Sequence, residues 1–398
     1  MNSDIEAAAN AVISGSTAIQ MGLQPDVFRI KIPTGSVKAT DFDKITPSTL
    51  PTLMKAGYAA VESFVRHERE NVSSLRPTTH YRGFDEKLLV LVQALTDSTS
   101  SVWISDRNSY WLYFIFPALL HAIRRGVNVQ FFTSSVGLEN DNQRAHEEYR
   151  RKLLQRMGVA INVMDRTPFN GFVADAGTDR TFVGISSQQG LVGKDYEYSE
   201  EQIKVYSAYE DAPVVESFAG LLRPISIPSR PRFSLRTCQT NLLFDRLRNV
   251  PQYQNARFSV EQVNLNDRVS VLQPLVKEYK YMQIDALIRE FTSNGVELFF
   301  PQEIVFEDTT SSIITPPVIE RMDGENVVID GHTRTLHCLK SNIQKMVAVV
   351  VENISAPLPG KPSPLARLAL SSGTITVKDL GFNMQYFRDI EAYVHPIR

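Results

Sequence analysis

Between residues 82 and 225 the apolar positions switch between helical spacing and short dense runs, which predicts helices alternating with buried strands. Helical spacing covers 87–94, 114–125 and 144–157, and strand-like runs fall at 101–105, 128–133 and 160–164. A hairpin at 171–174 and 180–185, a strand at 204–209 and a closing helix at 213–222 complete the stretch. This alternation builds an α/β layer fold. From residue 256 the pattern changes to closely spaced strands at 260–265, 303–306, 317–321, 327–329 and 346–351, with helices at 284–293 and after 330, which predicts a mixed α+β unit. The turn Met322-Asp323-Gly324-Glu325-Asn326 is a hairpin signal, because Asp-Gly adopts the positive φ values that a tight turn needs.

At 398 residues the chain exceeds what one core usually fills, so several segments are expected. Residues 1–80 form an N-terminal extension: a short helix, a strand at 27–32, a turn at Pro33-Thr34-Gly35, and a helix opened by Ser48 with Leu53, Ala56, Ala60 and Phe64 inward. Residues 81–225 are the α/β domain. Pro228 and Pro231, with Arg230, Arg232, Arg236, Arg246 and Arg248, mark 226–255 as a linker. Residues 256–398 are a second domain whose tail, after Pro359-Gly360-Lys361-Pro362, packs over it through a short helix and residues 386–393.

A formal net charge of −2 and a pI near 6.4 give no whole-chain attraction to phosphate backbones or anionic lipid. The five linker arginines lack interleaved aromatics, so nucleic-acid contact is the less favoured reading. Cys238 and Cys338 stand alone, which excludes a disulfide framework and a zinc ribbon. Residues 1–18 carry Asp4 and Glu6 and no basic segment, unlike a secretory signal. The most apolar window, 111–123, is too short to span a bilayer and contains Pro117 and His121. A cytoplasmic protein without membrane contact is expected.

Three stretches resemble known families. Asp41-Phe42-Asp43 through Ala56-Gly57-Tyr58 resembles the C-terminal end of patatin-like lipases, but Gly184-Ile185-Ser186-Ser187-Gln188 lacks the closing glycine of a nucleophile elbow, so no serine hydrolase is implied. The α/β order, with Arg125-Gly126-Val127-Asn128-Val129 ending its second helix, resembles one half of the phospholipase D-like fold. That family carries a His, a Lys two residues on and an Asp five further. Alignment on Asp175 puts Pro168 and Asn170 where the His and Lys belong, leaving neither nucleophile nor cation. The resemblance implies a degenerate domain serving as scaffold, dimerisation unit or sensor pocket, and a homodimer, since such halves come in pairs.

The best chemical candidate is Asp330-Gly331-His332-Thr333-Arg334, between a strand and a helix. A helix N-terminus offers unpaired N–H groups to an anion, Arg334 in the first turn can fork onto phosphate oxygens, His332 can hold a proton near neutral pH, and Asp330 can take a metal or a hydroxyl proton. With its flanking strands over 315–352, the motif resembles the ParB/sulfiredoxin superfamily, in its free-serine-kinase-like variant. The resemblance implies that Gly331, His332, Thr333 and Arg334 hold ATP, ADP or CTP with Mg²⁺, the metal ligands being unknown. It also implies that Asp330 and His332 act with an upstream catalytic Glu, for which Glu303 and Glu307 are candidates and Glu307 is taken. Thr333 replaces the second His usual in that variant. The function implied is a nucleotide-dependent phosphotransferase or NTPase acting on a small molecule; the alternative is a non-catalytic nucleotide-sensing or DNA-associated regulator. A plainer reading makes Asp330 a helix N-cap paired with Arg334 at i+4, and His337 and Cys338 packing residues.

Overall fold

A computed structural model of the chain describes residues 80–82, 84–134, 141–186, 202–222, 224, 230–356, 358 and 360–371. All of them lie in one compact unit, Leu75–Arg398. The elements expected within residues 1–64 and 386–393, and the stretch 41–58 that resembles a lipase tail, lie outside the described residues.

The first sheet has seven strands: β1 (His80–Arg82), β2 (Ser101–Ser105), β3 (Asn128–Ser134), β4 (Ala160–Met164), β5 (Gly171–Ala174), β6 (Phe182–Ser186) and β7 (Gln202–Ser207), in the order β1-β7-β6-β5-β2-β3-β4. The strands β2, β3 and β4 run parallel, and the others pair antiparallel. Parallel strands need crossovers, which α2 (Leu112–Arg124) and α3 (Asp141–Met157) supply. Side chains alternate across the sheet. Val102, Ile104, Val129 and Phe131 meet Leu88, Leu91 and Leu95 of α1 (Phe84–Asp97) and Leu119 of α2, while Phe132, Val173 and Val183 meet Val215 of α4 (Ala208–Leu221) on the other face. Burial on both faces is why these strands read as apolar runs rather than alternating ones. Within α4, Asp211 is non-helical (φ −127°, ψ 41°), so the continuous helix starts at the proline-bearing segment, as the pattern 213–222 predicts.

The expected linker, 226–255, carries folded elements over its described part: β8 (Phe233–Thr237), α5 (Thr240–Arg248) and a 3-10 turn, Pro251–Tyr253. Its prolines and arginines mask a weak strand pattern and one amphipathic helix. Leu243 and Leu247 are buried, and β8 is held by Arg236 lying opposite Glu303, with Nε to Oε2 at 2.7 Å. The partner of β8 is β12 (Gln302–Phe306), which also pairs with β13 (Ser311–Ile314).

The remaining described strands are β9 (Arg257–Asn264), β10 (Val269–Val271), β11 (Leu275–Val276), β14 (Val318–Met322), β15 (Glu325–Asp330), β16 (Lys345–Glu352), β17 (Ser363–Pro364) and β18 (Ala369–Leu370). Six of them form a mixed sheet, β17-β10-β15-β14-β16-β9, and β11 pairs with β18. Hairpin β14–β15 turns at Asp323 and Gly324 with φ of 51° and 79°, the paired positive values of the predicted turn. After β15 the chain enters α7 (His332–Lys340) and returns as β16, parallel to β14.

The two sheets share a core. Helix α6 (Glu278–Ser293) contributes Tyr279, Leu287, Ile288 and Phe291 to the same apolar cluster as α1, α2 and the first sheet. Pro117 removes one N–H from α2, and beside it Gln283 sets its side-chain amide against the backbone. Gln283 Oε1 accepts from the Ala118 N–H (3.3 Å) and its Nε2 donates to the Phe114 carbonyl (2.9 Å). Lys277 adds an ion pair to Asp85 at 2.9 Å, and the Arg124 guanidinium lies 4.6 Å from the Phe291 ring centre. Replacing Gln283 with alanine strips one buried and one part-buried hydrogen bond, and urea unfolding is expected to show a loss of about 1–3 kcal/mol. A loss below about 0.5 kcal/mol would contradict this account of the joint.

Candidate functional site

Asp175 is the residue that aligns with the Asp of the phospholipase D-like motif. It is buried just beyond β5 with φ of 48°. Its carboxylate accepts the N–H groups of Thr99 (2.9 Å), Ser100 (2.7 Å) and Ser101 (3.3 Å) and the Ser100 hydroxyl (3.0 Å). That work is structural, closing the loop that leads into β2. The positions of the absent His and Lys, Pro168 and Asn170, lie in the segment entering β5. There the Ser105 hydroxyl donates to the Phe169 carbonyl (2.6 Å) and the Ser186 N–H to the Asn170 carbonyl (2.8 Å). Sequence reading missed a second buried carboxylate. Glu147 of α3 accepts from Ser109 N–H and hydroxyl (3.0 Å each), Arg150 Nη2 (2.8 Å) and Arg151 Nε (2.9 Å), tying α3 to the loop before α2.

The turn between β15 and α7 holds five of the predicted site residues together. Gly331 takes φ of 87°, and a Cβ there would stand 2.8 Å from Pro317 Cα, so protein packing already demands this glycine. Gly331 is itself the N-cap and no side chain caps the helix, so Asp330 does not serve as the expected cap. Arg334 pairs with Asp330 at i+4, its Nη2 3.9 Å from Asp330 Oδ2, an ion pair longer than a hydrogen bond. The Arg334 Nη1 donates to the Thr315 carbonyl. Burial works against the guanidinium's charge and Asp330 supports it.

His332 points inward and is 7% exposed. Its Nε2 is 3.1 Å from both the Gln273 N–H and the Val328 carbonyl; one nitrogen serves only one of them, as acceptor or as donor. Burial lowers its pKa from 6.5 to about 4, so at neutral pH the imidazole is uncharged. Glu307 lies elsewhere. It follows β12 at the turn toward β13, exposed, 3.9 Å from Arg230, while Thr315 beside Arg334 follows the far end of β13. A strand length, roughly 15 Å, separates those ends. Glu303 is engaged with Arg236. On α7, His337 Nδ1 meets Asp285 Oδ1 at 2.9 Å, and Cys338 is buried with its thiol pushed up to about 12 by desolvation, both packing roles.

Several linker arginines are already paired: Arg236 with Glu303, and Arg248 with Asp245 and the Phe258 ring. Among the described residues no group of three His, Cys, Asp or Glu is arranged to hold a metal ion, and no helix is long and apolar enough to cross a membrane.

Residues 111–225 match the family described as iHKD, Inactive HKD-Rease. The match supports reading the α/β part as a degenerate phospholipase D-like domain, in agreement with Pro168 and Asn170 standing where that family carries its His and Lys. Comparison with curated proteins gives no match. Among solved structures, the chain is similar to TrmBL2, an archaeal chromatin protein with a novel mode of DNA binding (12% identity, 44% of this chain, 68% of that one, TM-score 0.26). It is similar to Nuc, a phospholipase D family member from Salmonella typhimurium (15%, 36% and 90%, TM-score 0.26). It is also similar to polyphosphate kinase from Porphyromonas gingivalis (11%, 68% and 48%, TM-score 0.25).

Two outcomes follow from this geometry. The purified protein is expected to leave phosphodiesters intact, and Asp175→Ala to lower stability by roughly 2–4 kcal/mol through three orphaned N–H groups; diester hydrolysis that disappears in Asp175→Ala would refute the structural role. The second concerns pH. The folded pKa of His332 is below its unfolded value, so its contribution to stability is complete above about 6.5 and lost as pH falls toward 4, by up to about 3 kcal/mol. His121, also lowered to about 4, adds in the same direction. Melting temperatures from pH 7 to 4.5 should therefore fall less steeply in His332→Gln than in wild type, and equal slopes would contradict the assignment.

Proposed function

We propose that this protein is a non-catalytic, nucleotide-responsive regulator in which the turn 330–334 holds the phosphates of ATP, ADP or CTP and the degenerate phospholipase D-like domain serves as scaffold and assembly unit. The observation that carries the reading is the combination at the start of α7: an N-terminus without a side-chain cap, a half-buried Thr333, and Arg334, whose Nη1 is committed to a protein carbonyl while its Nη2 stands 3.9 Å from Asp330. Such a set binds an anion by N–H groups and a guanidinium fork. Asp330, a third exposed, would repel bare phosphate, which favours a nucleotide carrying Mg²⁺.

The phosphotransferase reading is weaker on the same geometry. A general acid or base must reach the proton it moves. His332 is neutral and turned into the protein, and Glu307 lies about a strand length from the segment that Arg334 touches. A binding protein needs neither. Contact with DNA has no specific support, because several basic side chains of the former linker are engaged within the chain.

Arg334→Ala should weaken nucleotide binding in calorimetry roughly tenfold to a hundredfold, the worth of a charge-assisted contact. Arg334→Lys keeps the charge and loses the fork, so it should fall between. Arg334 also supports the fold through Thr315, so Thr333→Glu serves as the cleaner variant: a carboxylate in the first turn suits the helix dipole but repels phosphate. Loss of binding with an unchanged melting temperature is expected; absence of binding by the wild type, or undiminished binding in both Arg334→Ala and Thr333→Glu, sinks the proposal.

A further inference from the structure

One outer edge of the first sheet is β4, Ala160–Met164, which pairs with β3 along its whole length on one side. Among the described residues no strand lies on its other side, and beyond the ladder with β3 its residues bond through Asn162 Nδ2, which donates to Gln130 Oε1 (3.1 Å). Such a row of unpaired N–H and C=O groups is a template for another strand, and folded proteins blunt it with charge or proline. The six-stranded sheet shows both devices. One of its outer strands, β17, contains Pro364, and the other, β9, carries Arg257 paired with Glu352 and Glu261 paired with Arg321. The edge at β4 has neither: its sequence is Ala-Ile-Asn-Val-Met, and Val163 is 64% exposed.

Both ends of this edge limit what can lie along it. Before β4, the Arg232 N–H donates to the Met157 carbonyl (3.4 Å), and a Cβ on Gly158 would stand 1.8 Å from the Arg230 carbonyl oxygen, so the segment Arg230–Arg232 closes that end. After β4 the backbone bends at Asp165 and Arg166, both exposed. A partner strand therefore has room for about the length of β4 itself.

A second copy of β4 meets these limits. Paired antiparallel about a twofold axis at Asn162, the strand sets Ala160 opposite Met164, Ile161 opposite Val163 and Asn162 opposite its own copy, with no charge inside the pairing. The bend at Asp165 turns each chain away before it meets Arg230–Arg232 of the other. A ladder this short is small beside the roughly 800 Å² per partner of a stable interface, and α3 adds to it. That helix runs antiparallel to β4, and Tyr149, 42% exposed, lies about 12 Å back from its end, about level with the middle of β4. We propose that this protein forms a twofold dimer in which β4 pairs with β4 of a second copy, joining two seven-stranded sheets into one. The proposal rests on the assembly role given to the scaffold above and is independent of nucleotide at 330–334.

Sedimentation velocity of the full chain at micromolar concentration, without nucleotide, tests it. A dimer is expected, and Val163→Lys should weaken association roughly tenfold or more by placing a charge on the edge. Its circular dichroism should match wild type, because the residue is exposed in the single copy. Asn162→Cys, oxidised with diamide, should link two copies through one disulfide, while the wild type, whose Cys238 and Cys338 are buried, should not. Arg334→Ala should dimerise like wild type, which separates this proposal from the fate of the nucleotide site. A monomeric wild type, a Val163→Lys dimer as tight as wild type, or no cross-link in Asn162→Cys overturns the proposal. So does a monomer whose 160–164 amides resist hydrogen exchange as strongly as those of β2, since another segment of the same chain would then occupy the edge.

Discussion

Gln283 lies buried in the contact between α6 and α2, its amide set against the Ala118 N–H and the Phe114 carbonyl next to Pro117. A side chain that satisfies backbone groups of another helix specifies register as well as contact, because sliding either helix leaves buried polar groups unpaired. Around it the apolar residues of α6 join the core of the first sheet, and on the far side Asp285 of the same helix meets His337 of α7. Helix α7 and the α/β scaffold are therefore tied together by one helix.

The α/β part keeps a layered sheet around Asp175, and over 111–225 it resembles a family described as inactive. Asp175 survives because four donors converge on it, and removing it would orphan the loop into β2. The His and Lys positions fall in the segment entering β5. Proline and asparagine stand there, and the backbone of that segment still closes onto Ser105 and Ser186. A scaffold of this kind frees a protein to place binding elsewhere.

Much of the fold was legible in sequence wherever burial is on both faces or a turn has one chemical solution. The strand 101–105 and the Asp323-Gly324 turn are of that kind, and β14, β15, α7 and β16 follow in the predicted order. The stretch 226–255 was less legible, because β8 shows mostly exposed positions with only Phe233 and Leu235 apolar, and it owes its place to β12, nearly seventy residues away. The 330–334 turn was visible as a motif, but not the direction of its side chains. Gly331 answers to Pro317, and His332 turns to Gln273, a partner supplied by the chain before α6. Glu307 was taken as the upstream Glu, and the β12–β13 hairpin carries it away from the segment that Arg334 touches. No local pattern announces Glu147 or Gln283, whose partners are remote in sequence.

Amide hydrogen exchange followed by mass spectrometry, with and without Mg²⁺ and ATP, ADP or CTP, tests the central claim most directly, because it reports where a ligand acts without presupposing the residue. The account predicts added protection in peptides covering 327–340, at the end of β15 and the start of α7, and no change over 168–186 around the degenerate motif. Protection confined to 168–186, or no change anywhere at saturating nucleotide, would contradict it.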